Sequence, residues 1–404
     1  MAYNFYYIAE GKLYEYKDGK ETEISSVVLN SYLEKVKDSA KRNEWKHNGK
    51  GAAFTETYDL SVNPESAVNA VFSRISAVGE HDGDILYSLE IDRTNGIYRK
   101  YKDNPTSEGI VLCSFENKYY DFDVKNDKLA VSVYFAGESN IGVYDLNTKN
   151  LTTYTEGHTI DRSPVFSKKN DSLIYFTSTG LPNEDPKTPK SEAPKSYGQI
   201  VSEIYDNTAT PLRGPTSFCS IDMEKGELVE ILCDPEYDYT APYSALDGSL
   251  YYVRKPYVLG TTPNPLGVLG DILLFPFRIL RALFSFLNVF SATYSGKTLT
   301  KGKNTKYKDE KKTFIDGNLI NAEKELQQNA RKGEKFPGII PRSWELHRLD
   351  KYGTDTVIKR GVAAYKVIEE SGEIIYSNGS SIVVLAPGGK EEKISAADKV
   401  CCIK

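Results

Sequence analysis

Along much of this chain apolar and polar residues alternate in short runs, and each run is broken by a polar turn. A period of two is the pattern of a half-buried strand. Four segments align without gaps: "YDFDVKNDKLAV" from Tyr120, "PVFSKKNDSLIY" from Pro164, "APYSALDGSLYY" from Ala241 and "YKVIEESGEIIY" from Tyr365. Each reads as a strand, a turn carrying Asp, Asn or Gly, and a second strand, which is the signature of a β-hairpin. A weaker copy, "ISAVGEHDGDILY", begins at Ile75. The equivalent apolar positions Ile85, Leu129 and Leu173 are 44 residues apart, and the steps to Leu250 and Ile374 are longer, as insertions would make them.

A unit of about 40–45 residues holding four strands is a propeller blade. The second half of each unit agrees, with a third strand such as "NIGVYDL" (140–146), "SFCSIDM" (217–223) or "WELHRLD" (344–350) and a fourth such as "NLTTYT", "ELVEIL" or "DTVIKR". "GKETEIS" at 19–25 and "GKEEKIS" at 389–395 fall at equivalent blade positions. The first unit starts in its second strand, and "KVCCIK" at the other end lies where the missing innermost strand belongs. The pattern predicts an all-β chain, a single β-propeller over residues 1–404. It has about seven four-stranded blades, or six if the irregular stretch near 49–60 is not one, and its closing blade is built from both ends of the chain.

The run Ser-Pro-x-Phe-Ser-x-x-x-Asp-Ser-Leu-Ile-Tyr at 163–175 resembles the β-propeller repeat of the TolB family, with looser matches at 241–252 and 365–376. The resemblance spans most of the chain and implies a fold, not a function. That repeat class includes periplasmic envelope proteins and the propellers of serine peptidases. This sequence departs from both, having neither an export signal nor a hydrolase domain.

Two insertions interrupt the blades. Residues 180–215 hold six prolines and read as an exposed, partly extended loop. Residues 256–343 contain "GDILLFPFRILRALFSFLNVF" (270–290). In helical projection Asp271, Arg278, Arg281, Ser285 and Asn288 share one arc, opposite a face carrying Phe277, Leu280, Leu283, Phe284, Leu287 and Phe290. Pro276 suits a first turn, so the amphipathic helix is expected over about 276–290, roughly 22 Å long. A membrane span needs about 20 apolar residues, and two arginines near mid-membrane would each cost about 2.5–3.5 kcal/mol. The segment therefore reads as a surface-docking helix. Arg278, Arg281, Lys297, Lys301, Lys303, Lys306 and Lys308 form its basic flank. Such a helix fits either an anionic membrane surface or an apolar protein contact, in a partner or a homo-oligomer. A second helix is expected at 318–332, stopped by Gly333.

Composition narrows the function. A net charge of -5 gives no reason to expect nucleic acid. The 29 tyrosines suit half-buried strands with wet hydroxyls. Five cysteines, Cys113, Cys219, Cys233, Cys401 and Cys402, have no CxxC spacing and fit a reduced, cytoplasmic setting. The opening residues do not read as a secretory signal.

Chemical motifs dissolve on inspection. "SGKT" (295–298) lacks the phosphate-loop glycine, because Ser291 stands there. His47, His81, His158 and His347 are scattered and form no metal-ligand spacing. "DFDVKND" (121–127) lacks the glycine and glutamate of a calcium loop, and "HDGD" (81–84) sits at the same blade turn. Cys401 is fourth from the end like a prenylation cysteine, but lysine ends the chain and a closing strand explains the segment. No catalytic, cofactor or metal residues are assigned. The expected function is non-enzymatic docking or scaffolding through insertions on one face, peripheral to the inner side of a membrane or on a protein. The alternative is a propeller enzyme, a glycan lyase or hydrolase with an axial site.

Overall fold

The aligned hairpins are the first and second strands of successive sheets in the computed structural model. The structure describes residues 3–47, 64–157, 159–179, 214–257, 312–315 and 317–404. From the axis outward, one sheet holds β4 (Ser73–His81), β5 (Asp84–Ile91), β6 (Thr94–Lys100) and β7 (Glu108–Ser114). The next holds β8 (Lys118–Lys125), β9 (Lys128–Phe135), β10 (Glu138–Asp145) and β11 (Leu151–Thr153). Then come β12 (Asp161–Phe166), β13 (Leu173–Thr179), β14 (Thr216–Asp222) and β15 (Glu227–Leu232). A fourth sheet joins β16 (Tyr237–Ser244) and β17 (Leu250–Pro256) to β20 (Glu345–Leu349) and β21 (Asp355–Arg360). A fifth is β22 (Ala364–Ile368), β23 (Glu373–Ser377), β24 (Ile382–Leu385) and β25 (Glu391–Ser395).

The sixth blade comes from both ends of the chain. β26 (Val400–Ile403) is innermost, followed by β1 (Asn4–Ala9), β2 (Lys12–Lys17) and β3 (Lys20–Ile24). β26 pairs antiparallel with β1 through Tyr7–Ile403, Ile8–Cys402 and Ala9–Val400. Tyr6 and Lys404 exchange backbone hydrogen bonds of 2.8 and 2.9 Å beyond them. Two-residue turns at Glu10-Gly11, Asp18-Gly19, Asp82-Gly83 and Ala136-Gly137 have positive φ at both positions. That is the hairpin turn whose twist matches the strands it joins.

The blade number is six, the smaller of the two that the sequence allows. Ile8 and Leu13 of the closing blade pack directly on Val78, Tyr87 and Leu89 of the β4–β7 blade, so no further blade stands between them. The connection from β3 to β4 starts with α1 (Val27–His47) and contains α2 (Pro64–Asn69), while 49–60 lies outside the described residues.

Each of six buried clusters seals one junction between neighbouring blades. The repeat seen in sequence is thus the repeat of these junctions. Two residues beyond Ile85, Leu250 and Ile374 stand Tyr87, Tyr252 and Tyr376, each almost wholly buried. Tyr7 takes the same place in the closing blade. Their hydroxyls turn toward an acid of the outermost strand, Glu108, Asp355, Glu391 and Glu21 respectively, and burial followed by these acids raises every one of the four phenols. Hydroxyl groups also tie blade to blade: Ser88 Oγ donates to the Tyr119 carbonyl, and Ser132 Oγ donates to the Asp161 carbonyl at 2.7 Å.

Antiparallel order sends the first-to-second turns to one face of the disc, here the hairpin face. Second-to-third connections and blade-to-blade connections go to the other. Residues 180–215 join β13 to β14, 257–344 join β17 to β20, and 25–72 join β3 to β4, so all three long connections leave from that connection face. Within the 256–343 insertion, β18 (Lys312–Ile315) and β19 (Asn318–Asn321) form a hairpin, and α3 runs Ala322–Arg331. Residues 318–321, expected as helix, are strand, because the Asn321 side chain accepts from the Lys324 N–H at 3.1 Å and caps α3 there. Gly333 follows with φ 78. The helix expected at 276–290 lies outside the described residues, as do 180–213.

Val400 is fully buried in the closing strand. Val400→Asp would bury an uncompensated carboxylate there and is expected to cost about 3–5 kcal/mol in urea unfolding, whereas Lys399→Ala, which breaks an exposed ion pair with Glu10, is expected to cost under about 1 kcal/mol.

Candidate axial binding site

Pairing irregularities interrupt the innermost strand in five of the six blades. Pairing slips between Ile75 and Ala77 in β4, Tyr119 and Phe122 in β8, Arg162 and Val165 in β12, and Thr240 and Tyr243 in β16. These bulges push Ser76, Asp121, Ser163, Pro164, Ala241 and Pro242 toward the axis. Ser163 and Ala241 take φ of 52° and 50°, a left-handed backbone that costs non-glycine residues energy and recurs at binding sites. Proline follows each, where no backbone donor is needed. Tyr365 of β22 donates from its hydroxyl to the Ala241 carbonyl at 2.7 Å, tying one bulge to the neighbouring blade.

The six innermost strands together enclose a cavity of about 850 Å³, a volume in the range of small-molecule sites. Its walls are mixed: Ala77, Val78, Phe122, Val165 and Val367 alternate with Ser76, Ser163, Tyr243 and charged groups. At the hairpin face it meets a smaller recess of about 420 Å³ lined by Asn4, Glu80, Asp123, Lys168, Lys366 and Lys404 among others. Close approach of β4 and β8 beside this recess depends on Gly79, where a Cβ would stand 2.8 Å from Val124 Cγ2.

Charge is concentrated at this mouth. Lys404 pairs with Asp123 at 3.0 Å. Asp123 also accepts from the Phe166 N–H at 3.0 Å. Lys168 pairs with Glu369 at 2.5 Å and lies 4.4 Å from the centre of the Tyr243 ring. Glu369 further accepts from the Tyr243 hydroxyl at 2.6 Å and from the Leu246 N–H at 2.7 Å. Burial works against its charge, but these bonds outweigh it and hold the carboxyl below the usual range. Lys366 stands apart: its side chain makes no ion pair or hydrogen bond among the described residues. Burial lowers its pKa; Glu80 opposes that, while Lys404 and Lys168 reinforce it.

The two thiols on the cavity wall, Cys401 and Cys402, differ in surroundings. Burial pushes the Cys402 thiol up to about 11, so it stays protonated and unreactive at neutral pH.

The residues expected from sequence to dock, Phe277, Leu280, Leu283, Phe284, Leu287 and Phe290 with their basic flank, lie outside the described residues. Of the histidines, His158 is outside them as well. His81, Asp82 and Asp127 bring ligand-type atoms within 4.8 Å of one another. An Arg99 guanidinium donates to His81 Nδ1, leaving Nε2–H to face Asp127 at 3.0 Å. Both ring nitrogens are therefore engaged, and the trio acts as a latch between blade turns. His347 is similarly used, bonded to Asp355 at 2.9 Å and stacked on Tyr252. In the blade hairpin that holds "DFDVKND", Asp121 and Asp123 belong to the first strand, β8, and line the axial cavities. The signal was present in the alternation of Asp121 and Asp123 along an innermost strand.

No protein-family model matches this sequence, and no curated protein sequence matches it. Solved propellers do. TolB from Acinetobacter baumannii is similar at 9% identity over 99% of this chain, with a TM-score of 0.47. The tricorn protease is similar at 10% identity over 100% of this chain, with a TM-score of 0.41. This chain spans 65% of the first structure and 35% of the second. Oligogalacturonate lyase from Vibrio parahaemolyticus is similar at 9% identity, over 78% of this chain and 74% of that one, with a TM-score of 0.37. The likeness is one of fold alone.

Glu369 supplies a pH test. An unfolded glutamate titrates near about 4.3, so the stabilisation from its depressed folded value is complete above that pH. It is lost as pH falls through the folded value. Glu369→Gln is expected to cost about 1–3 kcal/mol at neutral pH, with the gap to wild type closing below about pH 4 in urea titrations. A gap that stays constant into acid would remove the carboxylate from this role.

Proposed function

We propose that this protein is a non-catalytic docking module that uses its connection face to engage a protein partner or a membrane surface. The observation that carries this reading is topological: the 25–72, 180–215 and 257–344 connections all depart from one face of a six-bladed disc whose opposite face carries short hairpin turns. A rigid disc holding long connections on one side is suited to presenting them, since binding segments sit on loops that a scaffold positions. The working surface in this reading is the apolar stripe Phe277, Leu280, Leu283, Phe284, Leu287 and Phe290, flanked by Arg278, Arg281, Lys297, Lys301, Lys303, Lys306 and Lys308. Apolar area supplies the main attraction and the cations add about 1 kcal/mol each beside anionic lipid. A cytoplasmic protein, peripheral at the inner face of a membrane or held by a partner or a second copy of itself, fits this reading. No described helix is long and apolar enough to cross a membrane.

The double variant Phe284→Glu with Leu287→Glu separates the docking surfaces. If lipid is the surface, co-sedimentation with vesicles of neutral and anionic phospholipid is expected to fall about 100-fold in affinity, and added salt weakens the wild type. Unchanged sedimentation removes the lipid version. If self-association is the role, the same variant converts an oligomer to a monomer in light scattering, and a monomeric wild type removes that version.

The axial cavity favours a second reading, a propeller enzyme acting on a glycan at the axis, with Tyr243, Glu369 and Lys168 nearest its mouth. Turnover of a neutral or acidic oligosaccharide that is lost in Tyr243→Phe would support it, and no turnover across such a panel would sink it.

A further inference from the structure

The hairpin-face mouth of the axis lies on the face opposite to the one from which the long connections leave and is independent of the docking reading. Its charged groups come from every blade that reaches it: Glu80 from β4, Asp123 from β8, Lys168 just beyond β12, Lys366 from β22 with Glu369 and Glu370 in the following turn, and Lys404 beyond β26. The two carboxylates that are mostly buried are fully engaged. Asp123 serves Lys404 and the Phe166 N–H, and Glu369 serves Lys168, Tyr243 and the Leu246 N–H. Glu80 and Glu370 are exposed at the rim, and Glu80 acts on Lys366 in the direction that favours its charge. Of the three ammonium groups, Lys168 and Lys404 each pair with an engaged carboxylate, and Lys366 is the one whose side chain has no paired carboxylate among the described residues.

We propose that this mouth binds a ligand through a single anionic head, a carboxylate or a phosphate, which pairs with Lys366 between Lys168 and Lys404 while the rest of the ligand lies along the axial wall. Three features of the site point the same way. Lys366 is half-buried on β22, whose pairing with β23 runs without a register shift. It lines both the recess and the main cavity, so an anion paired with it has about 850 Å³ of room behind for its body. The wall beyond it presents Ala77, Val78, Phe122 and Val367, which suits a small, part-apolar body in preference to a highly charged one. A partly desolvated ammonium with no partner is unfavourable, and an incoming anion relieves that in a low-dielectric recess. Burial of Lys366 lowers its pKa, countered by Glu80 and reinforced by Lys404 and Lys168. The anion pairs with the protonated Lys366, so binding weakens as pH rises through the titration of that ammonium.

The test uses the full chain, thermal unfolding and calorimetric titration at matched ionic strength. The probes are hexanoate, its neutral analogue hexanamide, and inorganic phosphate. Hexanoate or phosphate is expected to raise the unfolding temperature of the wild type and hexanamide to leave it unchanged; whichever anion acts identifies the head group. Lys366→Met is expected to be at least as stable as wild type without ligand and to bind the active anion at least about tenfold more weakly. Lys366→Arg keeps the charge and is expected to retain binding. The proposal is overturned if neither anion acts on the wild type, if hexanamide acts as strongly as hexanoate, or if Lys366→Met responds like the wild type.

Discussion

The ladder between β26 and β1 is the constraint on which the whole disc depends. A propeller has no edge at its axis only if the last blade is complete, and here that blade is assembled from residues at opposite ends of the chain. The pairs Tyr7–Ile403, Ile8–Cys402 and Ala9–Val400, with the Tyr6–Lys404 exchange, bring together groups nearly the full chain length apart. Ordering that contact carries the entropy of closing a very long loop. What compensates is that closure completes two buried junctions at once: Tyr7, Val400 and Ile403 against Ile375 and Ile382 on one side, and Ile8 and Leu13 against Tyr87 and Leu89 on the other. Hydrogen bonds align the strands, and the apolar clusters supply the driving force.

Once closed, the ring determines the axis. Six inner strands converge where there is little room, and five of them bulge, turning small or cyclic residues such as Ser76, Ser163, Pro164 and Ala241 inward. The result is a cavity instead of a packed plug. Charged side chains gather at one end because the strands end there. Asp123, Lys168, Glu369 and Lys404 neutralise one another across four different blades, so the mouth is itself part of what holds the ring shut. Lys366 is the group this arrangement leaves over.

Tyrosine is the residue through which the fold reconciles polarity with packing. Tyr87, Tyr252 and Tyr376 place a large ring in the junction between blades and send a hydroxyl toward the acid of the outer strand. A phenylalanine there would leave the acid without that contact, and a smaller residue would leave a void. The tyrosine-rich composition is therefore a consequence of repetition, one junction after another meeting the same need.

Much of this was legible before any coordinates. The 44-residue step from Ile85 to Leu129 to Leu173 announced the blades, and "KVCCIK" announced the closing strand, because alternation with period two and turn chemistry are local properties that sequence carries directly. The boundaries of α3 were less legible: Asn321 caps the helix from inside a stretch whose composition reads as helical. The axial site was hardest. Asp123, Lys168, Lys366 and Lys404 are separated by up to 281 residues, and each looks like an ordinary surface charge in its own strand or turn. The sequence by itself determined that the chain forms four-stranded blades in a ring closed by its ends. Only the tertiary structure decided that the blades number six, and that one lysine is left without a partner at the axis. Those depend on which strands meet across the ring, and through-space charge and packing are not written in local periodicity.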